Sequence, residues 1–239
     1  MKRKIALFTL LLMLIPNTAI AKTTRVPDGL GMIHTYTPWD KIKWGSGCKK
    51  LINYMEGKDA ISNNYGIVTY GNYFAGALTS TYGTVGDMML VVQNDNSVYP
   101  VIMADTKSQN DEGCNKWGHH YGKCIVEFEI LSSYKKPLYK GSGGYISDNL
   151  AKPISYIINL GSVYEDELYL NNPEQACIDN GLEGYALMVN PYEYKTIEKG
   201  VENNEIWSCF GCSDGIFSIS NIHKYFQYNL SFGLGELYS

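Results

Sequence analysis

Several things this chain lacks narrow its function before any motif is considered. It has no basic stripe: 24 acidic residues outnumber 20 lysines and arginines, which argues against a nucleic-acid partner. Past the N-terminal segment no run of residues is apolar enough to span a bilayer, so no membrane span is expected in a mature form. No cysteine directly follows the N-terminal apolar run, which argues against a lipid-anchored lipoprotein. Internal repeats and low-complexity linkers are absent too. Nor does a β-α-β pattern surround Cys209-Phe-Gly-Cys212, so a thioredoxin-like redox pair is disfavoured and a structural cystine is the default there.

The first 21 residues, MKRKIALFTLLLMLIPNTAIA, place three cations before an apolar run and end on Ala19-Ile-Ala21. That order reads as a secretory signal peptide cut after Ala21, and the chain is expected to be secreted into the extracellular space or cell envelope. Removing the three cations takes the formal charge from -4 to -7. From Asp166 onward 11 acidic residues face 3 basic ones, a charge that repels anionic polymers.

Export also frames the six cysteines, since an oxidising compartment favours cystine over metal ligation. Cys114 and Cys124 close a short loop and are the preferred pair. A local Cys209–Cys212 bond leaves Cys48 with Cys177, although connectivity does not follow from sequence. His119 and His120 lie inside the loop between Cys114 and Cys124, which raises a zinc reading. Adjacent histidines on extended chain point to opposite sides, and a zinc site needs converging ligands. No metal and no cofactor are expected.

Periodicity divides the chain. Residues 45–58 carry a short helical pattern ended by Gly57. Tyr65–Tyr70 and Tyr73–Leu78, joined by Gly71-Asn72, read as a type II′ hairpin. Further strands are expected at Met88–Gln93, Val98–Ala104, Cys124–Ile130 and Pro153–Asn159, with Pro100 implying an edge or a bulge. Within Cys124–Ile130 alternation puts Ile125, Glu127 and Glu129 on one face and Val126, Phe128 and Ile130 on the other. Asn172–Gly181 reads as a capped helix, Gly184–Val189 as a strand, and Ser220–Tyr228 as helical. Short strands at this spacing predict a mainly β chain built on a small barrel or sandwich.

The stretch from Gly66 to Ile130 carries Gly86-Asp87, then Ala104-Asp105-Thr106-Lys107-Ser108, then Glu127-Phe128. It resembles a module of secreted and phage-associated proteins of Gram-positive bacteria, itself similar to the double-psi β-barrel family. That family spans three-aspartate cell-wall domains, lytic-transglycosylase barrels, expansins and barwin. The resemblance implies a small six-stranded double-psi-like β-barrel with short helices over residues 22–164, followed by a C-terminal α+β extension over 165–239. The family's Gly-Gly after the first Asp is replaced here by Lys107-Ser108, and its second Asp by Glu127.

Related barrels that cut glycans use an Asp as general acid, and protonating a glycosidic oxygen needs a carboxyl in an apolar surround. Asp105 follows Val101–Ala104 and is the expected acid, with Glu127 and Asp87 as further candidate carboxylates. Against this stands the plain reading that Asp105 caps a loop and Glu127 is solvated. Lys107, Trp117, His119, His120 and Tyr121 are the candidate ligand contacts; most of the remaining aromatics are expected to cover the core. The expected partner is peptidoglycan or another glycan, cleaved as by a lytic transglycosylase or glycoside hydrolase. Two alternatives are a non-catalytic, expansin-like wall-binding barrel and a secreted interaction protein.

Overall fold

A computed structural model of the chain describes residues 21–33, 35–42, 45–134 and 147–198. Both the expected signal peptide up to Ile20 and the segment from Lys199 onward, with Cys209, Cys212 and the helix expected at 220–228, lie outside the described residues.

The elements follow in chain order. Strands β1 (Lys22–Arg25) and β2 (Thr35–Pro38) precede helix α1 (Ser46–Glu56). Then come β3 (Ile61–Asn64), β4 (Ile67–Tyr70), β5 (Tyr73–Thr79), β6 (Asp87–Gln93) and β7 (Ser97–Lys107). Strands β8 (Glu127–Ile130) and β9 (Ile154–Ser162), helix α2 (Pro173–Asp179), β10 (Ala186–Asn190) and β11 (Glu193–Thr196) complete the set. All eleven strands belong to one mixed sheet, ordered β1-β9-β6-β7-β5-β4-β8-β2, with β3 on β4 and β10 linking β7 to β11. The chain is therefore mainly β. The expected six-stranded barrel needs a closed ring; the path among the described residues instead runs open from β1 to β2. Segment 165–198 adds α2 and two strands, and β10 pairs in parallel with β7.

Local rules explain most elements. The β4–β5 hairpin turns at Gly71, whose φ of +57° suits a type II′ corner; a Cβ there would lie 2.5 Å from the Leu170 carbonyl oxygen. Helix α2 starts where Asn172 Oδ1 accepts from the Gln175 N–H at 3.1 Å, with Pro173 in its first turn. Pro100 departs from expectation, because β7 is a central strand. Its outer side falls between β10, which pairs at Ser97 and Val98, and β5, which begins pairing at Val101. Neither β10 nor β5 pairs with Tyr99 or Pro100, which leaves a gap in the ladder there.

Both faces of the sheet are covered. Along β6, Met88, Leu90 and Val92 pack with α1 residues Leu51, Ile52 and Met55, while Met89 and Val91 join Phe74, Tyr99 and Phe128 on the opposite face. Strand alternation thus produces two cores from one sheet. The candidate site lies on the α1 face, where this alternation is interrupted.

Candidate functional site

The interruption is a β-bulge. On the α1 face, Ala75 of β5 pairs with Ile102 of β7, yet two residues later Ala77 pairs with Asp105. One extra residue, Ala104, has entered β7, and a bulge of this kind re-aims the side chains that follow it. Without it the side-chain period of two would turn Asp105 and Lys107 to the other face. On its far side Ala77 pairs with Glu127 of β8. Asp105, Ala77 and Glu127 therefore form one row across three strands. At the usual strand spacing the two carboxylate-bearing backbones stand roughly 10 Å apart, and a methyl group between them leaves space above the sheet.

That space is a cleft of about 210 Å³, lined by Thr37, Ala77, Asp105, Lys107, Asp111, His119, Glu127 and Glu129 among others. Its polar groups form two sets. In the first, Asp105 Oδ1 accepts from the Cys48 thiol of α1 at 3.1 Å and from the Thr106 N–H at 2.7 Å. Glu129 belongs with it. Its side chain is only 2% exposed and its Oε2 has no hydrogen-bond partner. Burial first, and then the charge of Asp105, push its pKa up to about 8. A carboxyl there is neutral at pH 7 and carries a proton. Burial and the same aspartate push the Cys48 thiol up to about 12, so Cys48 is a hydrogen-bond donor and not a thiolate nucleophile.

The second set centres on Lys107, which is 6% exposed. Its ammonium pairs with Glu127 Oε2 and lies 2.9 Å from His119 Nδ1. The Thr37 hydroxyl donates to Glu127 Oε1, so Glu127 is held from both sides. Burial lowers the Lys107 pKa, and nearby acids, Asp105 and Asp111 among them, oppose the shift. Burial, followed by the lysine charge, also lowers His119, leaving the imidazole neutral at pH 7.

The loop from Ser108 to Cys124 brings His119 and Asp111 to the cleft without a cystine. Cys48, Cys114, Cys124 and Cys177 are all free thiols, which corrects the expected Cys114–Cys124 and Cys48–Cys177 bonds. Cys124 turns inward to Thr35 Oγ1 at 3.2 Å, and Cys48 faces Asp105 instead of α2. Backbone bonds hold the loop: Asn115 with Gly118, Tyr121 N–H to Gly113 O, and Cys124 N–H to His119 O. Gly118 is required, since at φ +145° a Cβ would sit 2.1 Å from the Cys124 carbonyl oxygen.

Four other expected site residues lie away from the cleft lining. Asp87 closes its own turn, accepting from Thr84 N–H at 3.0 Å and from the Asn159 amide at 2.9 Å. Trp117 is half-buried against Tyr82. His120 and Tyr121 are exposed, with left-handed backbones. Asp105, Glu127, Lys107 and His119 are brought together; Glu129, Thr37 and Asp111 join them without having been singled out, as does Cys48, expected only as half of a cystine. Glu129 had a readable signal, sharing the face of Glu127 two residues on. The Cys48 contact spans 57 residues and has none.

As for metal ligation, Asp111, Cys114 and His119 offer donor atoms within 4.8 Å of one another. Lys107 already occupies the Nδ1 side of His119. No protein-family model matches the chain, and no curated protein and no solved structure matches it significantly.

Proposed function

We propose that this is a secreted, cell-wall-associated protein that binds glycan strands and cleaves a glycosidic bond by acid catalysis. The observation that carries the reading is the pairing of Glu129, a proton-bearing carboxyl at neutral pH, with Asp105 in one cleft. Two carboxyl groups held in different protonation states are the requirement for glycoside cleavage. Sequence reasoning assigned the acid to Asp105, but the apolar surround that acid needs belongs to Glu129. In the proposed mechanism Glu129 gives its proton to the leaving oxygen. Asp105, oriented by Cys48 and the Thr106 N–H, carries the negative charge that stabilises the oxocarbenium-like transition state or activates water.

The leader-like first 21 residues support export. The double-psi-like relationship rests on the sequence blocks at Gly86-Asp87, Ala104–Ser108 and Glu127-Phe128. Purified sacculi incubated with the protein test the activity. Reducing or anhydro-sugar ends should appear with the wild type and fall at least a hundredfold in Glu129→Gln and Asp105→Asn, the scale of losing a general acid. Binding without products from the wild type would favour the expansin-like alternative. Unchanged products from both variants would remove the pair from the mechanism.

A further inference from the structure

We infer that the cleft recognises a primary ammonium group on its ligand, so that its preferred glycan carries free, de-N-acetylated amino sugars. This rests on the glycan reading above and names the substrate class within it.

The lining carries four carboxyl side chains, Asp105, Asp111, Glu127 and Glu129. Against them stands a single ammonium, that of Lys107, already engaged by Glu127 and His119. With His119 neutral, the cleft is rich in acceptors and net negative even when Glu129 holds its proton. Glu129 adds a separate observation: a buried oxygen in the cleft wall with no donor. Buried polar atoms are rarely left unpaired, and a ligand N–H reaching that oxygen would satisfy it. An anionic ligand would meet no free cation here, and an N-acetyl group brings a bulkier amide without charge.

The cleft also shows how it surrounds an ammonium. Lys107 Nζ is held by a carboxylate and an imidazole nitrogen, and Asp105 and Asp111 line the same cleft. A divalent metal fits less well. The one converging donor set among the described residues, Asp111, Cys114 and His119, would put a dication within a few ångströms of the lysine charge. A ligand ammonium beside Asp105 brings half the charge of such a dication. The small cleft volume, below the ~300 Å³ of pockets for drug-sized ligands, suits one sugar ring.

The test compares the β-1,4-linked tetramer of glucosamine with that of N-acetylglucosamine by titration calorimetry at mildly acidic pH. The full-length protein should bind the amino tetramer about tenfold more tightly, a margin that shrinks with added salt. Asp111→Asn, at an exposed position, should reduce the margin severalfold. Equal affinities, or preference for the acetylated tetramer, overturn the inference while the glycan reading stands. Calcium binding that is lost in Asp111→Asn overturns it in favour of a metal site. Binding to neither tetramer, with no products from sacculi, sinks both readings together.

Discussion

Replacing Glu129 with Gln should stabilise the protein at alkaline pH and not at acid pH. Burial raises the folded-state pKa of Glu129 above its ordinary 4.5 to about 8. The residue therefore costs folding nothing well below pH 4.5. Its cost grows as pH rises, because the unfolded chain ionises there and the folded one does not, and it levels off above 8. The gap between 4.5 and about 8, at about 1.4 kcal/mol per pH unit, is worth about 5 kcal/mol when fully expressed. Wild-type Glu129 thus costs about 1 kcal/mol at pH 5, about 3 at pH 7 and about 4 at pH 8. Gln removes this titration but puts a side-chain amide where Glu129 Oε2 already lacked a partner, a roughly constant penalty of about 1–2 kcal/mol. Chemical denaturation of both proteins across this range should show the variant equal to or less stable than the wild type at pH 5. At pH 8 it should be more stable, the difference moving by about 3 kcal/mol, or roughly 10 °C in Tm for a chain of this size. Asp105→Asn removes the charge that adds to the effect of burial, so it should shrink the pH swing. A stability difference independent of pH, or one moving the other way, would refute the buried-carboxyl account.

Two further outcomes follow from the same cleft. Lys107→Met leaves Glu127 largely buried without its cation and should cost about 3 kcal/mol, most of it recovered in the double variant with Glu127→Gln; a double variant as unstable as the single one would show that the pair is not coupled. In the reduced native protein a thiol reagent should label half-exposed Cys114 well before Cys48, Cys124 and Cys177, read by peptide mass mapping, because burial raises the pKa of all four thiols while only Cys114 among them is open to the reagent. Fast labelling of Cys48 would contradict its seat against Asp105.

The apolar strands buried on both faces were legible in the sequence, and so was the Gly71-Asn72 corner, because their signals are local. Helix α2 was legible through Asn172, Pro173 and the Gly181 stop. Strands β1, β2, β3 and β11 were not anticipated: each is four residues long and half-buried to exposed, and β1 and β2 pair with strands distant in sequence. Closure into a barrel was inferred from strand spacing, yet spacing does not determine which edges pair. The cysteines misled for a related reason. Loop length made Cys114–Cys124 look natural, whereas the inward turn of Cys124 to Thr35 depends on β2 lying beside β8.

The most consequential illegible feature is the insertion of Ala104. Read by strict alternation, β7 puts Ala104 on the face of Ile102, and Asp105 and Lys107 on the face of Val101 and Met103, which is apolar core. Burying two charges there without partners would be prohibitive. The bulge resolves this by turning both toward Ala77 and the Glu127–Glu129 face of β8. The same local event rescues the core from two charges and assembles four titratable groups around one small residue. A bulge is selected by what the strand must present on each face, information spread over β5, β7 and β8. That is why the residue types of the site could be guessed from sequence while the division of labour between Asp105 and Glu129 could not. It also explains why Glu129, two residues beyond the carboxylate singled out from the motif, holds the buried position in which a carboxyl keeps its proton.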